Sequence, residues 1–193
     1  MATKEDFIKK SEIERMALSS IIPLLFEGKE YTYYTTPSDG FDVYDGYVML
    51  FNTSGSIIGR YMVEVKVRDT HYDELMLERK KYNDLVKASS KTEAGIIYIN
   101  VTPNGTYCFN INKIIDDNTN WVIGNHWKST TDKSLGKIDK KIVYIPIDKA
   151  KKIEYNTVMN HLQLSREAKI TELFKESKEM KQQFCLFRDV LMK

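Results

Sequence analysis

The sequence predicts an α/β domain, a mixed sheet flanked by helices with a helical extension at its C-terminal end. Three observations point there. Two stretches open with capping-box chemistry and continue with helical spacing, at Thr3–Asp6 and Thr70–Asp73. Several short β-branched and aromatic runs are punctuated by turn residues. One run, Gly95 to Val101, is almost continuously apolar, as a strand buried on both faces would be.

The chain has 193 residues, 42% hydrophobic and 29% charged, enough for one domain with a substantial core and too apolar for wholesale disorder. A formal net charge of +2 advertises no global polyanion binder, so any basic footprint must be local. Cys108 and Cys185 have no paired-cysteine spacing. His71, His126 and His161 are far apart and form no ligand pair at helical spacing. No signal peptide is visible, and the longest apolar stretch, Ile21 to Phe26, is too short to span a bilayer. The expectation is a soluble, cytoplasmic protein with no membrane partner.

The elements follow in order. A first helix carries Phe7, Ile13, Ala17, Leu18 and Ile21 and ends near Pro23 and Gly28. Glu30 to Thr36 reads as a strand, and Pro37-Ser38-Asp39-Gly40 as a turn. Tyr44 to Phe51 and Ile57 to Arg68 read as a hairpin around Asn52-Thr53-Ser54-Gly55-Ser56. A second helix is expected from about Tyr72 to Ala88, then the buried strand at Gly95 and another at Thr106 to Ile111. Residues 112–147 are expected to form a basic loop, rich in lysine from Lys128 to Lys141, and one extra strand from Ile142 to Ile147. Residues 148–193 read as helical. There Ile170, Leu173, Ser177, Met180, Phe184, Phe187 and Leu191 form a heptad-like stripe that suits packing on its own domain or, alternatively, a homodimer. All of this is read as one domain over residues 1–193, with its core in 1–111.

The chemistry concentrates in the third strand. Glu64 and Lys66 share a face of an apolar run, and Asp45 opens the strand before it. Carboxylates converging on a point are what a magnesium ion takes, and a lysine beside them can orient or deprotonate a water and offset phosphate charge. The tripeptide pattern is not selective alone. Glu-x-Lys also occurs at Glu27, Glu78, Glu167, Glu176 and Glu179, in helical or loop-like settings. Only the copy at Glu64 lies in a strand pattern behind an acidic residue. The competing reading places Glu64 and Lys66 on the solvent face of an edge strand. On the first helix, Glu14 falls within the apolar stripe and Glu12 on nearly the opposite side, at about 100° per residue. A carboxylate there needs compensation, from a metal or from a basic partner.

The order αβββαβ, with an aspartate on the second strand and Glu64-Val65-Lys66 on the third, resembles the PD-(D/E)xK nuclease superfamily. That superfamily includes restriction endonucleases, Holliday junction resolvases and phage exonucleases. The resemblance spans about Thr3 to Ile111, and Tyr44 stands where the name-giving motif has proline. It implies a restriction-endonuclease-like core and hydrolysis of DNA phosphodiesters, with RNA not excluded. It implies Mg2+ or Mn2+ held by Asp45, Glu64, the Val65 carbonyl and Glu14, the last directly or through water, with Lys66 activating the attacking water. Asp42 competes with Asp45 for its role, and Asp45 is favoured by its nearness to the strand. The helix after the motif offers Glu78, Lys81 and Tyr82, and the strand end offers Arg68 as a phosphate contact. His126 and Trp127, with the lysines around them, suit gripping a nucleic-acid backbone and stacking a base. The alternative function is a non-catalytic nucleic-acid-binding or protein-interaction module on the same scaffold.

Overall fold

The computed structural model describes residues 3–40, 42–129 and 132–153. The expected C-terminal helices and their heptad stripe lie outside those residues from position 154 onward.

A long helix, α1 (Lys4–Leu25), begins with the capping box read from the sequence. Thr3 Oγ1 accepts from the Asp6 N–H at 3.2 Å, and Asp6 Oδ2 accepts from the Thr3 N–H at 2.7 Å. Ala17, Leu18, Ile21 and Ile22 are buried, whereas Phe7, which the spacing placed in the stripe, is exposed. The helix runs through Pro23 rather than stopping there.

Three antiparallel strands follow: β1 (Glu30–Thr35), β2 (Gly46–Phe51) and β3 (Ile57–Val67). The β2–β3 turn is built by Asn52, whose Oδ1 accepts from the N–H groups of Ser54 and Ser56 at 3.1 and 2.8 Å. Gly55, at φ 79°, supplies the left-handed residue there. A strand, β5 (Gly95–Thr102), then lies parallel to β3, and β6 (Gly105–Asn110) returns against β5. A last strand, β9 (Lys151–Ile153), pairs with β6. The result is a mixed six-stranded sheet in the order β1-β2-β3-β5-β6-β9, the α/β architecture the sequence predicts.

Between β3 and β5 the structure departs from expectation. The segment read as the start of a second helix contains a strand, β4 (Glu74–Glu78), and α2 begins only at Arg79 and ends at Ser90. Leu75 and Leu77 are buried at strand spacing, so period two prevails over the apparent cap at Thr70 and Asp73. β4 pairs with β8 (Lys137–Pro146), which pairs with β7 (Val122–Trp127), forming a second, three-stranded sheet. The region expected as a basic loop therefore contains β7 and half of β8. A short helix, α3 (Ile111–Ile114), precedes it. Residues 148–153, expected to be helical, instead complete a 3-10 turn that starts at Ile147 and form β9. Leu75, Leu77 and Ile145 from the second sheet pack with Ile96, Tyr98 and Phe109 from the first and with Leu85 of α2 in one apolar cluster. That shared core fixes α2 between the two sheets.

Candidate functional site

The end of β3 positions the candidate site. β2 pairs with β3 only from Gly46, opposite Val63, so Val65 lies past the end of that ladder. Its main-chain groups must find other partners. The Val65 N–H donates to Asp45 Oδ2 at 2.6 Å, and the Val65 carbonyl accepts from Lys66 Nζ at 3.0 Å. Asp45 is thus an acceptor built into the strand's margin, buried beside the first residue of β2. Its other oxygen, Oδ1, forms an ion pair with the Arg15 guanidinium of α1. Arg15 also donates from Nε to the Thr36 carbonyl at 3.0 Å and from Nη2 to Thr36 Oγ1 at 2.9 Å, fastening the helix to the β1–β2 margin.

Lys66 Nζ lies at the centre of an oxygen cage. Glu14 Oε1 and Oε2 are at 3.1 and 3.2 Å, Glu64 Oε1 at 3.0 Å, and the Val65 carbonyl at 3.0 Å. Glu64 is only 1% exposed. Lys81, from the first turn of α2, approaches Glu64 Oε2 at 2.7 Å and donates to the Val43 carbonyl at 2.6 Å. Three carboxylates (Glu14, Asp45, Glu64) are therefore paired with three cations (Arg15, Lys66, Lys81). The pairs are interlocked, so a change at one partner is felt by the others.

The electrostatics follow from burial and neighbours. Burial raises the pKa of Glu14, with Asp45 adding to the rise and Lys66 and Lys10 opposing it. Burial likewise raises Glu64, helped by Asp45 and opposed by Lys66 and Lys81. For Lys66, burial acts to lower the pKa, but Glu64 and Glu14 outweigh it, so the ammonium is held protonated well above its ordinary range. Lys10, one turn before Glu14, is lowered by burial despite Glu14, and Arg68 and Lys66 push the same way. Lys10 and Lys66 thus form a positive neighbourhood around Glu14, and Arg68 adds its charge next to Lys10.

The structure brings Glu14, Asp45, Glu64, Val65, Lys66 and Lys81 together. Arg68 follows β3, its N–H donating to the Val101 carbonyl at 2.8 Å, and its charge is felt at Lys10 and Tyr98. Glu78 and Tyr82 point to other partners. Glu78 binds Lys140 of β8 at 2.7 Å, and Tyr82 packs against Trp121 with ring centroids 5.5 Å apart. The reason is the late start of α2: Glu78 ends β4 and belongs to the second sheet's side. Glu64 and Lys66 are not on an exposed edge strand, since β3 lies between β2 and β5. Arg15 and Lys10 were not singled out from sequence. The signal that could have found Arg15 is Asp45 itself, a carboxylate at a buried strand margin that needs a cation.

The donor set suits a hard divalent cation. Glu14, Glu64 and the Val65 carbonyl offer only oxygen, gathered on one ammonium, with a second ammonium, that of Lys81, on Glu64 Oε2. Among the described residues no three Asp, Glu, His or Cys side chains form a metal cage. Asp45 is turned to Arg15 and the Val65 N–H instead.

No family model matches the chain, and no curated protein matches it. Among solved structures, the chain is similar to a Holliday junction resolvase from the archaeal hyperthermophile Archaeoglobus fulgidus. The identity is 16%, the match covers 54% of this chain and 80% of that one, and the TM-score is 0.38. So loose a likeness assigns no function. Among the described residues no helix is long and apolar enough to cross a membrane.

Proposed function

We propose that this chain is a divalent-metal-dependent nuclease that hydrolyses DNA phosphodiester bonds. The observation that carries the reading is the cage around Lys66 Nζ, where two carboxylates and a strand carbonyl converge on one positive charge at 3.0–3.2 Å. Glu64, the Val65 carbonyl and Glu14 would hold Mg2+ or Mn2+, Glu14 directly or through water, and Asp45 would complete the set by exchanging the Arg15 guanidinium for the cation. A bound cation of this kind polarises a phosphoryl oxygen and lowers the pKa of a bound water.

The chain's own residues do the rest. With a cation on those oxygens, Lys66 would give up the cage and the two carboxylates that keep it protonated. Lys66 would then orient the attacking water or take its proton. Arg68 and Lys10 offset phosphate charge at the mouth of the site. Lys81 fixes Glu64 from the opposite side and ties the Val43–Asp45 segment to α2.

The test is incubation of plasmid and single-stranded DNA with the chain in Mg2+ or Mn2+, beside Lys66→Ala, Glu64→Ala and Asp45→Ala. The reading expects cleavage by the wild type, abolished by chelator and by each substitution. Equal behaviour of wild type and variants overturns it.

A second reading is favoured by one specific observation. Asp45 is already satisfied by Arg15 and the Val65 N–H, and the six charges balance without a metal. A non-catalytic nucleic-acid-binding or protein-interaction module on this scaffold would keep such a closed network for stability. It expects no heat of Mn2+ binding by calorimetry and no Mn2+-dependent change in melting temperature.

A further inference from the structure

The β7–β8 ribbon carries a surface that the site does not use. β4 pairs with β8 only over residues 142–146, whereas β7 pairs with β8 over 137–142. Among the described residues, the second sheet beyond Ile142 toward Lys137 is therefore a two-stranded ribbon. From Ile142, opposite Glu78, to Lys137 is five strand residues, about 17 Å. A free two-stranded ribbon is marginal by itself, and one face of this one is exposed along its length. Ile123 is 75% exposed and Trp127 is 38% exposed.

Strand register sorts those side chains. Trp127 is opposite Lys137, Asn125 opposite Asp139 and Ile123 opposite Lys141, so all six share one face. Lys137 Nζ lies 5.2 Å from the Trp127 ring centroid, and Lys133 Nζ, from the turn before β8, lies 5.8 Å from it. Asp139 is the acid on this face, and Asn125 Nδ2 donates to it at 2.9 Å. Lys133, Lys137 and Lys141 therefore outnumber it. An exposed indole beneath two flexible ammonium groups offers a ring for a flat partner and charges for its anionic backbone.

The ribbon is also coupled to the site. On its opposite face Lys140 binds Glu78 at 2.7 Å, where α2 begins. One helical turn on, Lys81 reaches Glu64 at 2.7 Å. Arg79, between them, stacks over Trp121 at 5.2 Å. The first turn of α2 thus touches both the ribbon and the acidic cluster.

We infer that the outer face of the β7–β8 ribbon docks an unpaired nucleic-acid strand, with Trp127 stacking on a base and Lys133, Lys137 and Lys141 on the flanking phosphates. The inference rests on the nucleic-acid part of the proposed function and names the form of substrate the site receives. A ring half-covered by its own lysines gives them up one at a time: each ammonium moves to a phosphate as the base takes the ring face. Sequence preference is weak because every base has a face to stack.

The test uses the full chain with Trp121→Phe, leaving Trp127 as the fluorescent reporter, and a fluorescent thymidine oligonucleotide in chelating buffer, where cleavage cannot proceed. The expected results are quenching of Trp127 and tighter binding of the single strand than of a duplex of equal length. On the wild-type background, Trp127→Ala weakens single-strand binding about tenfold. Lys137→Ala lowers the logarithmic salt slope by about 0.7. Circular dichroism melts confirm that these exposed substitutions leave the fold intact. Binding by wild type that neither substitution changes overturns the docking surface while leaving the nuclease reading standing. Ribbon-dependent binding with no cleavage in Mg2+ or Mn2+ leaves the surface standing and overturns the nuclease. Preference for duplex, or the absence of any DNA binding, overturns the inference.

Discussion

Lys66 Nζ and Glu64 Oε1 are 3.0 Å apart, although the two residues stand two positions apart on one strand. Same-face neighbours along a strand are about 7 Å apart at Cα. The long lysine folds back toward its own strand's carbonyl and meets Glu14 coming from α1. Glu64 is held in turn by Lys81.

That relationship predicts the effect of deleting the ammonium. Lys66→Met leaves Glu14 and Glu64 buried near each other and near Asp45. We expect a loss of about 3 kcal/mol of stability at neutral pH, the usual scale for a buried pair broken on one side. The loss should be smaller at pH 5, where the carboxylates can take up protons, and Mn2+ should restore part of it. Urea titrations at both pH values, with and without Mn2+, check this. An unchanged midpoint in all four would show that the cage carries no strain of charge.

The raised carboxylates set a pH dependence with a definite sign. Glu14 and Glu64 rise above their ordinary value of 4.5 in the folded chain. The unfolded chain therefore releases those protons first, and the stability they contribute is complete below about pH 4.5. It is lost as pH rises through their folded values. Lys66 is also raised, above its ordinary 10.5, so its contribution holds below that value and is lost at still higher pH. In chelating buffer, stability should decline from pH 4.5 upward, level off, and decline again above pH 10.5. The contribution is read as the difference between wild type and Glu14→Gln/Glu64→Gln across a pH series of denaturant melts.

Arg15 and Asp45 invite a double-mutant cycle. Arg15→Leu strands Asp45 and loosens Thr36, and should cost about 3 kcal/mol. Asp45→Asn keeps an acceptor for the Val65 N–H and should cost less. The double variant should recover more than 1 kcal/mol relative to the sum of the singles, as residues in contact do. Additive losses in chemical denaturation would mean the ion pair contributes nothing to the fold.

Gly46 is the hinge of the site in a steric sense. A Cβ there would run into Leu18 Cδ2 and lie 2.9 Å from the Tyr34 carbonyl. Gly46→Ala should therefore destabilise by about 1–3 kcal/mol, the cost of overpacking. It should also disturb Asp45, its neighbour. A lowered melting temperature together with weaker Mn2+ binding is the expected pair of results. A lowered melting temperature alone would confine the effect to packing.

Residues on α2 should separate cleanly by partner. Lys81→Ala removes the cation from Glu64 Oε2 and should cut any cleavage rate by tenfold or more. Tyr82→Phe changes a side chain that packs on Trp121, away from the cluster, and should leave the rate within twofold. Glu78→Gln should do likewise in the cleavage assay, since its partner is Lys140. Equal losses at all three positions would sink this division of labour.

Much of the fold was legible because its signals are local. The capping box at Thr3 and Asp6, the Asn52–Ser56 turn and the buried run at Gly95 are patterns that neighbouring residues establish among themselves. The placement of Glu14 on the buried side of α1 was readable for the same reason, as helical periodicity fixes direction within a few turns. β4 was misread because Thr70-x-x-Asp73 imitates a cap, and β7 because its Lys- and Asn-rich surroundings resemble a loop. Both strands exist through pairing with β8, whose partner residues lie 64 to 72 positions from β4 and 10 to 20 from β7, which no local pattern reports.

The sequence by itself determined the chemical types near the end of β3: an acid before strand two, Glu-x-Lys on strand three, and a carboxylate on the first helix. It also determined that these lie on elements able to meet. Only the tertiary structure decided what they meet. It gave Asp45 to Arg15 and the Val65 N–H, set Lys66 among the oxygens of Glu14, Glu64 and Val65, and sent Glu78 and Tyr82 elsewhere. The physical reason is that side-chain identity and periodicity fix direction over a few residues. The partner of a buried charge is chosen by whichever distant element brings the opposite charge within reach.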